Sequence, residues 1–324
     1  MKDSVFGDLP LWDSRHRTHM EKFMGSLIEG CKLTVQNKTF MKWLTDEKFD
    51  IAFAHMYHTC PIALIHAAKI PTWIWLLRMV VNKETAIMRK HWDPNFPDIL
   101  DLASKCPLVM ANSNELYEFP RPTLAKVVNI GGLGVEHKDA KPLKEQFKKI
   151  AETGKGMVVM SFGSVARTEW MPENWKIAIL KAFARFPEYQ FVIRYVMDDL
   201  KGRLPPNVHT FSWLPQNDLL LHPNTKAFIS HGGYNSLQEA INSGVPLITI
   251  ALFGDQFKNS KIAAKHGFAV NIKKGEISEE TLYAAVKEVL ENDKYSRSAK
   301  RLSLMVQKKP CQLEQSSMLF STTP

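Results

Sequence analysis

Between residues 156 and 291 the chain alternates short apolar runs with longer amphipathic stretches, and each change of period predicts a change of element. GMVVMSF (156–162) is an unbroken apolar run ending in Gly163-Ser164, which predicts a buried strand opening into a loop. Residues 172–186 place Trp175, Ile179, Leu180 and Phe183 at helical spacing, with Pro172 near the first turn. QFVIRYV (190–196) and VHTFSW (208–213) predict two more strands, followed by a short helix over 217–221. KAFIS (226–230) then predicts a strand, 235–243 a helix, VPLITI (245–250) a strand, 256–266 a helix and FAVNI (268–272) a strand. Ser278 opens a helix running to Glu291, with Glu280 and Thr281 in its first turn. Strand–helix repeats of this length predict a parallel sheet covered on both faces. Ligands of such sheets sit beyond the carboxyl ends of the strands. Chemistry is therefore expected in the loops after residues 162, 213, 230 and 250.

The first half is patterned more thinly. FDIAFA (49–54), IPTWIW (70–75), LVMANS (108–113) and KVVNI (126–130) predict strands, with a helical stretch over 61–69. They suggest a second open α/β sheet of reduced size. The first 45 residues show little periodicity, and 131–150, with Lys141-Pro142, has the character of a linker. The expected domains are an incomplete α/β domain over 1–140, a linker over 141–155, a Rossmann-like domain over 156–310 and an irregular tail over 311–324.

Composition adds little to this. The 324 residues are 45% hydrophobic and 23% charged, as soluble globular chains are. A net charge of +9 invites a nucleic-acid reading, but residues 1–150 hold 21 basic against 17 acidic side chains and 151–324 hold 21 against 16. So even a spread lacks the basic face or arm that displaces counterions, and no nucleic-acid partner is expected. Cys31, Cys60, Cys106 and Cys311 are widely spaced, without a CxxC pair, and predict neither a disulfide framework nor a zinc ribbon. The first residues contain no apolar stretch of signal-peptide type, and the longest apolar run, 71–81, is too short to span a bilayer. As written, the chain reads as soluble and cytoplasmic. A single sequon, Asn37-Lys38-Thr39, would matter only in the secretory pathway.

The strand-end loops carry the candidate chemistry. Trp213 closes a strand, where an indole can stack on a nucleobase or simply sit at the rim of the core. His231-Gly232-Gly233-Tyr234-Asn235-Ser236 leads into a helix whose free N–H groups suit a phosphate. His231 can donate to a diphosphate oxygen, and Asn235 and Ser236 can bind phosphate or merely cap the helix. Glu239, one turn further on, can accept from both hydroxyls of a ribose, or be a solvated surface carboxylate. Asp255-Gln256 can bind sugar hydroxyls, although Asp255 also reads as a helix N-cap. Ser164, after Gly163, offers an N–H and a hydroxyl. An aromatic, a phosphate loop, a diol acceptor and a sugar-hydroxyl pair thus fall in order on successive strand ends.

The run WLPQNDLLLHPNTKAFISHGGYNSLQEAINSGVPLITIALFGDQ (213–256) resembles the signature box of UDP-glycosyltransferases, the animal UDP-glucuronosyltransferases in particular. SFGS (161–164) and NSNELYEFPRP (112–122) resemble the same family in a nematode-type version. This resemblance implies a two-domain GT-B fold, two Rossmann-like domains facing across a cleft, with the N-terminal one incomplete here. It assigns Trp213 and Gln216 to uridine, and Ser164, His231, Gly233 and Asn235, beside Ser236, to the diphosphate. Glu239 falls to the ribose and Asp255 with Gln256 to the transferred sugar. It implies a UDP-sugar donor, a small lipophilic hydroxyl acceptor, inversion, no metal cofactor, and an endoplasmic-reticulum membrane address.

Three departures stand out. The family's catalytic histidine follows a first strand that this chain lacks, and His16 and His19 sit in a polar stretch instead. The position of its orienting aspartate is His55, with His58 and Cys60 nearby; a metal cluster of these three is not the expected reading. About fifty family residues are absent around 76–83, and CQLEQSSMLFSTTP (311–324) replaces the family's helix, membrane span and basic tail. The alternative to an active transferase is therefore a catalytically silent UDP-sugar-binding protein, associating with full-length relatives, or an incomplete gene product. An epimerase or another GT-B enzyme is disfavoured by Trp213 and Asp255-Gln256.

Overall fold

The computed structural model describes residues 14–54, 59–74, 81–131, 141–166 and 168–308, which divide into two compact units. The smaller unit spans Leu9–Ser113 and Pro120–Ile130. It begins with α1 (Ser14–Gln36) and α2 (Lys38–Asp46), continues through β1 (Ile51–Phe53), α3 (Cys60–Ala67), β2 (Thr72–Ile74), α4 (Val81–His91) and α5 (Ile99–Ser104), and ends with β3 (Val109–Ala111) and β4 (Val127–Asn129).

Two helices thus replace the unpatterned start expected for the first 45 residues. Met24, Leu27, Ile28, Cys31 and Val35 recur at helical spacing along α1, and Cys31 and Val35 are fully buried. Gly25, Gly30 and the lack of acidic residues in the first turn obscure that stripe in the sequence. The four expected strands also do not make one sheet: β1 pairs with β2 and β3 with β4, each in parallel, in two separate two-stranded sheets. The cysteine reading needs correction as well. Cys31 and Cys60 form a disulfide that ties α1 to the start of α3 inside a core with Val35, Ile62, Met88 and Ile99. Sequence spacing missed it because a helix end brings together two cysteines that no local motif links.

The larger unit takes Asn114–Phe119 and Gly131–Pro324. Its elements are α6 (Glu145–Ala151), β5 (Gly156–Ser161), α7 (Glu173–Ala184), β6 (Tyr189–Arg194), β7 (Val208–Phe211), α8 (Gln216–Leu221), β8 (Thr225–Ser230), α9 (Tyr234–Ser243), β9 (Leu247–Thr249), α10 (Gln256–Lys265), β10 (Ala269–Asn271), α11 (Glu279–Glu291) and α12 (Asp293–Gln307). All six strands run parallel in the order β10-β9-β8-β5-β6-β7.

Successive residues of a strand point to opposite faces, so the continuous apolar run of β5 fills two cores. Val158 and Met160 pack with Trp175, Ile179 and Phe183 of α7 and Leu282 and Val286 of α11. Met157 and Val159 pack on the other face with Phe147, Leu219, Leu237, Ile241 and Ile262. Helix α6, inside the stretch that reads as a linker, supplies Phe147 and Ala151 to this second core. Helix α11 begins with the expected Ser278, whose hydroxyl and Thr281 cap each other's backbone. The segment Asn114–Phe119 is held by Tyr117, buried in the second core, and by Lys258 paired with Glu118.

Candidate functional site

Strand β5 lies at the sheet's centre; β6 and β7 extend to one side of it, while β8, β9 and β10 extend to the other. The chain leaves β5 toward β6 and β8 toward β9, in opposite directions, so their carboxyl ends form the switch point at which such sheets take ligands. The last residues of four strands form a row across this edge. Ser161 lies opposite Ser230, Ser230 opposite Thr249, and Thr249 opposite Asn271. All three hydroxyl residues are buried in an otherwise apolar sheet. Ser161 Oγ accepts from the Gly163 N–H, and Ser230 Oγ from the Gly232 N–H, both at 3.2 Å. These bonds turn the chain sharply at each strand end, with φ at 72° for Gly163 and 80° for Gly232, a region that favours glycine.

His231 sits between the two turns. A Cβ at Gly163 would lie 2.8 Å from its Cε1, and one at Gly233 2.6 Å from its Nε2. The glycines therefore make room for the imidazole. Burial pushes the His231 pKa down to about 4, against an opposing pull from Asp255. Around neutral pH the ring is uncharged and offers one N–H.

Helix α9 starts immediately after this loop. Gly233 is its N-cap, no side chain caps it, and its first turn contains no acidic residue. Capping by Asn235 or Ser236 is not realised, so the first N–H groups of α9 have no intrahelical partners. Asn235 is exposed and Ser236 buried. The Ser236 hydroxyl accepts from Gln216 Nε2 at 3.4 Å, and the same amide donates to Glu239 Oε2 at 2.5 Å. Burial raises the pKa of Glu239, while the Gln216 hydrogen bond lowers it. Gln216 and Glu239, distant in sequence, are thus one hydrogen-bonded pair rather than two separate surface groups.

Trp213 is 69% exposed, which removes the core reading for its indole. The guanidinium of Arg194 lies 5.3 Å from its ring centroid and donates to the carbonyl of Gly163. Ser164 is exposed on the same loop. Asp255 occupies the N-cap position of α10 without capping it; instead its Oδ2 accepts from Asn259 Nδ2, which also donates to the Gly232 carbonyl, both at 2.9 Å. Gln256 is turned inward. Its Oε1 accepts from the N–H groups of Leu252 and Phe253 at 2.8 and 3.0 Å, which leaves only its Nε2 side for a ligand. Arg194, Asn259 and the serine–threonine row were missed by sequence reasoning. Arg194 carried a signal, a lone charge ending the apolar strand QFVIR at the carboxyl edge.

Not everything expected can be located. His55 and His58 lie outside the described residues, as do the segment 75–80 and the tail 309–324; for His16 and His19 only the helical backbone is described. Cys60 is oxidised and so is no metal ligand. Among the described residues no group of three or more His, Cys, Asp or Glu side chains is placed to hold a metal ion, and no helix is long and apolar enough to cross a membrane.

The family described as UDP-glucoronosyl and UDP-glucosyl transferase matches residues 97–316. The chain belongs to this family. Two UDP-glucuronosyltransferase relatives give the scale of the likeness. Caenorhabditis elegans ugt-48 is 27% identical over 367 residues, covering 96% of this chain and 70% of the relative. Oryctolagus cuniculus UDP-glucuronosyltransferase 2B14 is 30% identical over 336 residues, covering 87% and 62%. Caenorhabditis elegans ugt-50, at 34% identity, is spanned for only 44% of its length. Among solved structures, the glycotransferase of kitacinnamycin superposes with a TM-score of 0.67 at 18% identity, covering 90% of this chain and 84% of that one. SnogD from Streptomyces nogalater follows at 0.61 and 16%, covering 87% and 76%. The α/β architecture with parallel sheets is that of the GT-B glycosyltransferases.

Proposed function

We propose that this transferase-family chain binds a UDP-sugar at the carboxyl edge of β5 and β8 and passes the sugar to a hydroxyl of a small lipophilic acceptor with inversion. The observation that carries the reading is the uncapped start of α9 at the switch point, flanked by an exposed indole and a half-buried carboxylate. In this reading Trp213 stacks on uracil, with Gln216 beside it, and Glu239 accepts from the ribose hydroxyls. Ser164, the neutral His231, Gly233, Asn235 and the hydroxyl of Ser236 receive the diphosphate. Asp255 and the Nε2 side of Gln256 meet the transferred sugar. During transfer the acceptor oxygen bonds to the anomeric carbon and yields its hydroxyl proton to a general base, as the bond to the diphosphate oxygen breaks. UDP departs with that electron pair, and the α9 N–H groups stabilise its growing charge.

A second reading is a UDP-sugar-binding protein without turnover, associated with longer relatives. It is favoured by His55, which stands where the resemblance expects the aspartate that orients the catalytic base. Such a base is typically worth about 10²–10⁴ in rate. Single-turnover transfer from a radiolabelled UDP-sugar to a phenolic acceptor separates the two. Product above the uncatalysed rate supports the transferase; none, alongside calorimetric UDP binding, refutes it and leaves the binding protein.

A further inference from the structure

We infer that Asn259 is a positioning residue of the donor site, one that aims the Asp255 carboxylate at the transferred sugar and ties it to the His231–Gly232 turn. The inference rests on the UDP-sugar reading of this site, which gives Asp255 sugar hydroxyls to meet. Asn259 itself touches no ligand in that reading. It follows Asp255 by four residues in the first turn of α10, so the two side chains share one face of the helix.

Two hydrogens on one nitrogen make the connection. Asn259 Nδ2 donates to Asp255 Oδ2 and to the Gly232 carbonyl, both at 2.9 Å. A primary amide offers two such donors without adding a charge. That suits a site where Asn259 is 1% exposed while Asp255 is exposed. One end of the link is anchored inside the protein, and the other leaves Asp255 Oδ1 for a ligand. An N-cap aspartate ordinarily directs its carboxylate to the N–H groups of its own helix. Asp255 makes no such bond, and its carboxylate turns to Asn259 instead.

The turn at the other end is fixed as firmly. A Cβ on Gly232 would lie 2.8 Å from Ser260 Oγ and 3.2 Å from the Gln256 carbonyl oxygen, so the loop rests directly on the first turn of α10. Asp255 also faces His231, whose pKa it pulls upward against the larger effect of burial. The loop that receives the diphosphate and the carboxylate that meets the sugar are therefore joined through one buried amide. Without that amide, Asp255 is a surface carboxylate free to sample its rotamers. Binding the sugar would then require ordering it, a cost that preorganisation removes.

Calorimetry with UDP, UDP-glucose and UDP-glucuronate on the full chain tests the role. Asn259→Asp keeps the shape of the side chain but sets a carboxylate against the Asp255 carboxylate and the Gly232 carbonyl. Asn259→Ala removes the amide altogether. Each should weaken the tighter-binding UDP-sugar by about tenfold, on the scale of couplings within one hydrogen-bond network, and UDP by about twofold at most, as for uncoupled sites. In an Asp255→Ala background neither substitution should weaken the UDP-sugar further. Comparing two ligands on one preparation cancels any loss of folded protein. Equal weakening of UDP and UDP-sugar, or a loss that adds to that of Asp255→Ala, overturns the inference and leaves Asn259 as a structural amide. Unfolding of both variants, read by circular dichroism, does the same. Absence of UDP binding by the original chain is a separate failure: it refutes the donor-site reading, and the positioning role falls with it.

Discussion

Replacing Glu239 by Gln removes one charge and little else. Gln216 Nε2 donates to Glu239 at 2.5 Å, and a carboxamide oxygen at the same place accepts that bond, so the fold is expected to hold. A ribose diol loses its anionic acceptor. Hydrogen bonds to charged groups contribute about 1.5–3 kcal/mol, and 1.4 kcal/mol is tenfold, so UDP affinity should fall by about 10- to 150-fold. The assay is calorimetry with UDP and 2′-deoxy-UDP on both proteins. The original chain should discriminate between the two ligands, and Glu239→Gln should bind both with similar, weak affinity. The pH dependence has a definite sign. Burial raises the Glu239 pKa, so the folded state retains this proton to higher pH than the unfolded chain. Folding stability therefore declines as pH rises through the raised pKa, whereas UDP binding, which needs the anion, strengthens over the same window. Both trends should flatten in Glu239→Gln. Equal affinity of the original chain for UDP and 2′-deoxy-UDP, or an unchanged UDP affinity in the variant, would refute the ribose assignment.

Other outcomes follow from the same geometry. Trp213→Ala should weaken UDP by about 1–3 kcal/mol while leaving inorganic diphosphate binding unchanged, as paired titrations would reveal. Arg194→Gln removes the guanidinium from the Gly163 carbonyl and the indole face; a UDP-affinity loss of about 2 kcal/mol is expected. Arg194→Lys should not restore it, because lysine lacks the planar fork, and full rescue would count against this geometry. Gly233→Ala drives a methyl into His231 Nε2 and should cost about 1–3 kcal/mol in urea unfolding, most of it recovered on adding His231→Ala. His231 itself should make the fold acid-sensitive. Its folded pKa of about 4 lies below the ordinary 6.5, so the unfolded chain takes up a proton first, and stability falls by about 3 kcal/mol as pH drops across that interval. An equally steep decline in His231→Gln would remove His231 as its source.

The large sheet and the neighbourhood of the site are legible in local pattern. The apolar run of β5 and the alternating pattern after it specify a parallel sheet because only burial on both faces suits such strands. His231 to Ser236 could be placed at a helix start, and Trp213 at a strand end, from local pattern alone. Pairings across the fold were beyond that reach. The Gln216–Glu239 bond, the Arg194 contacts with Gly163 and Trp213, and the inward turn of Gln256 join residues that sequence order keeps apart. The same limit hid the disulfide and made two small sheets look like one. Local propensity and period are encoded within a few residues, but hydrogen-bond partners, ring contacts and half-cystine pairs depend on which chain segments packing brings together. Packing across the fold is what makes Gly163 and Gly233 enclose an imidazole, and what leaves this buried imidazole neutral.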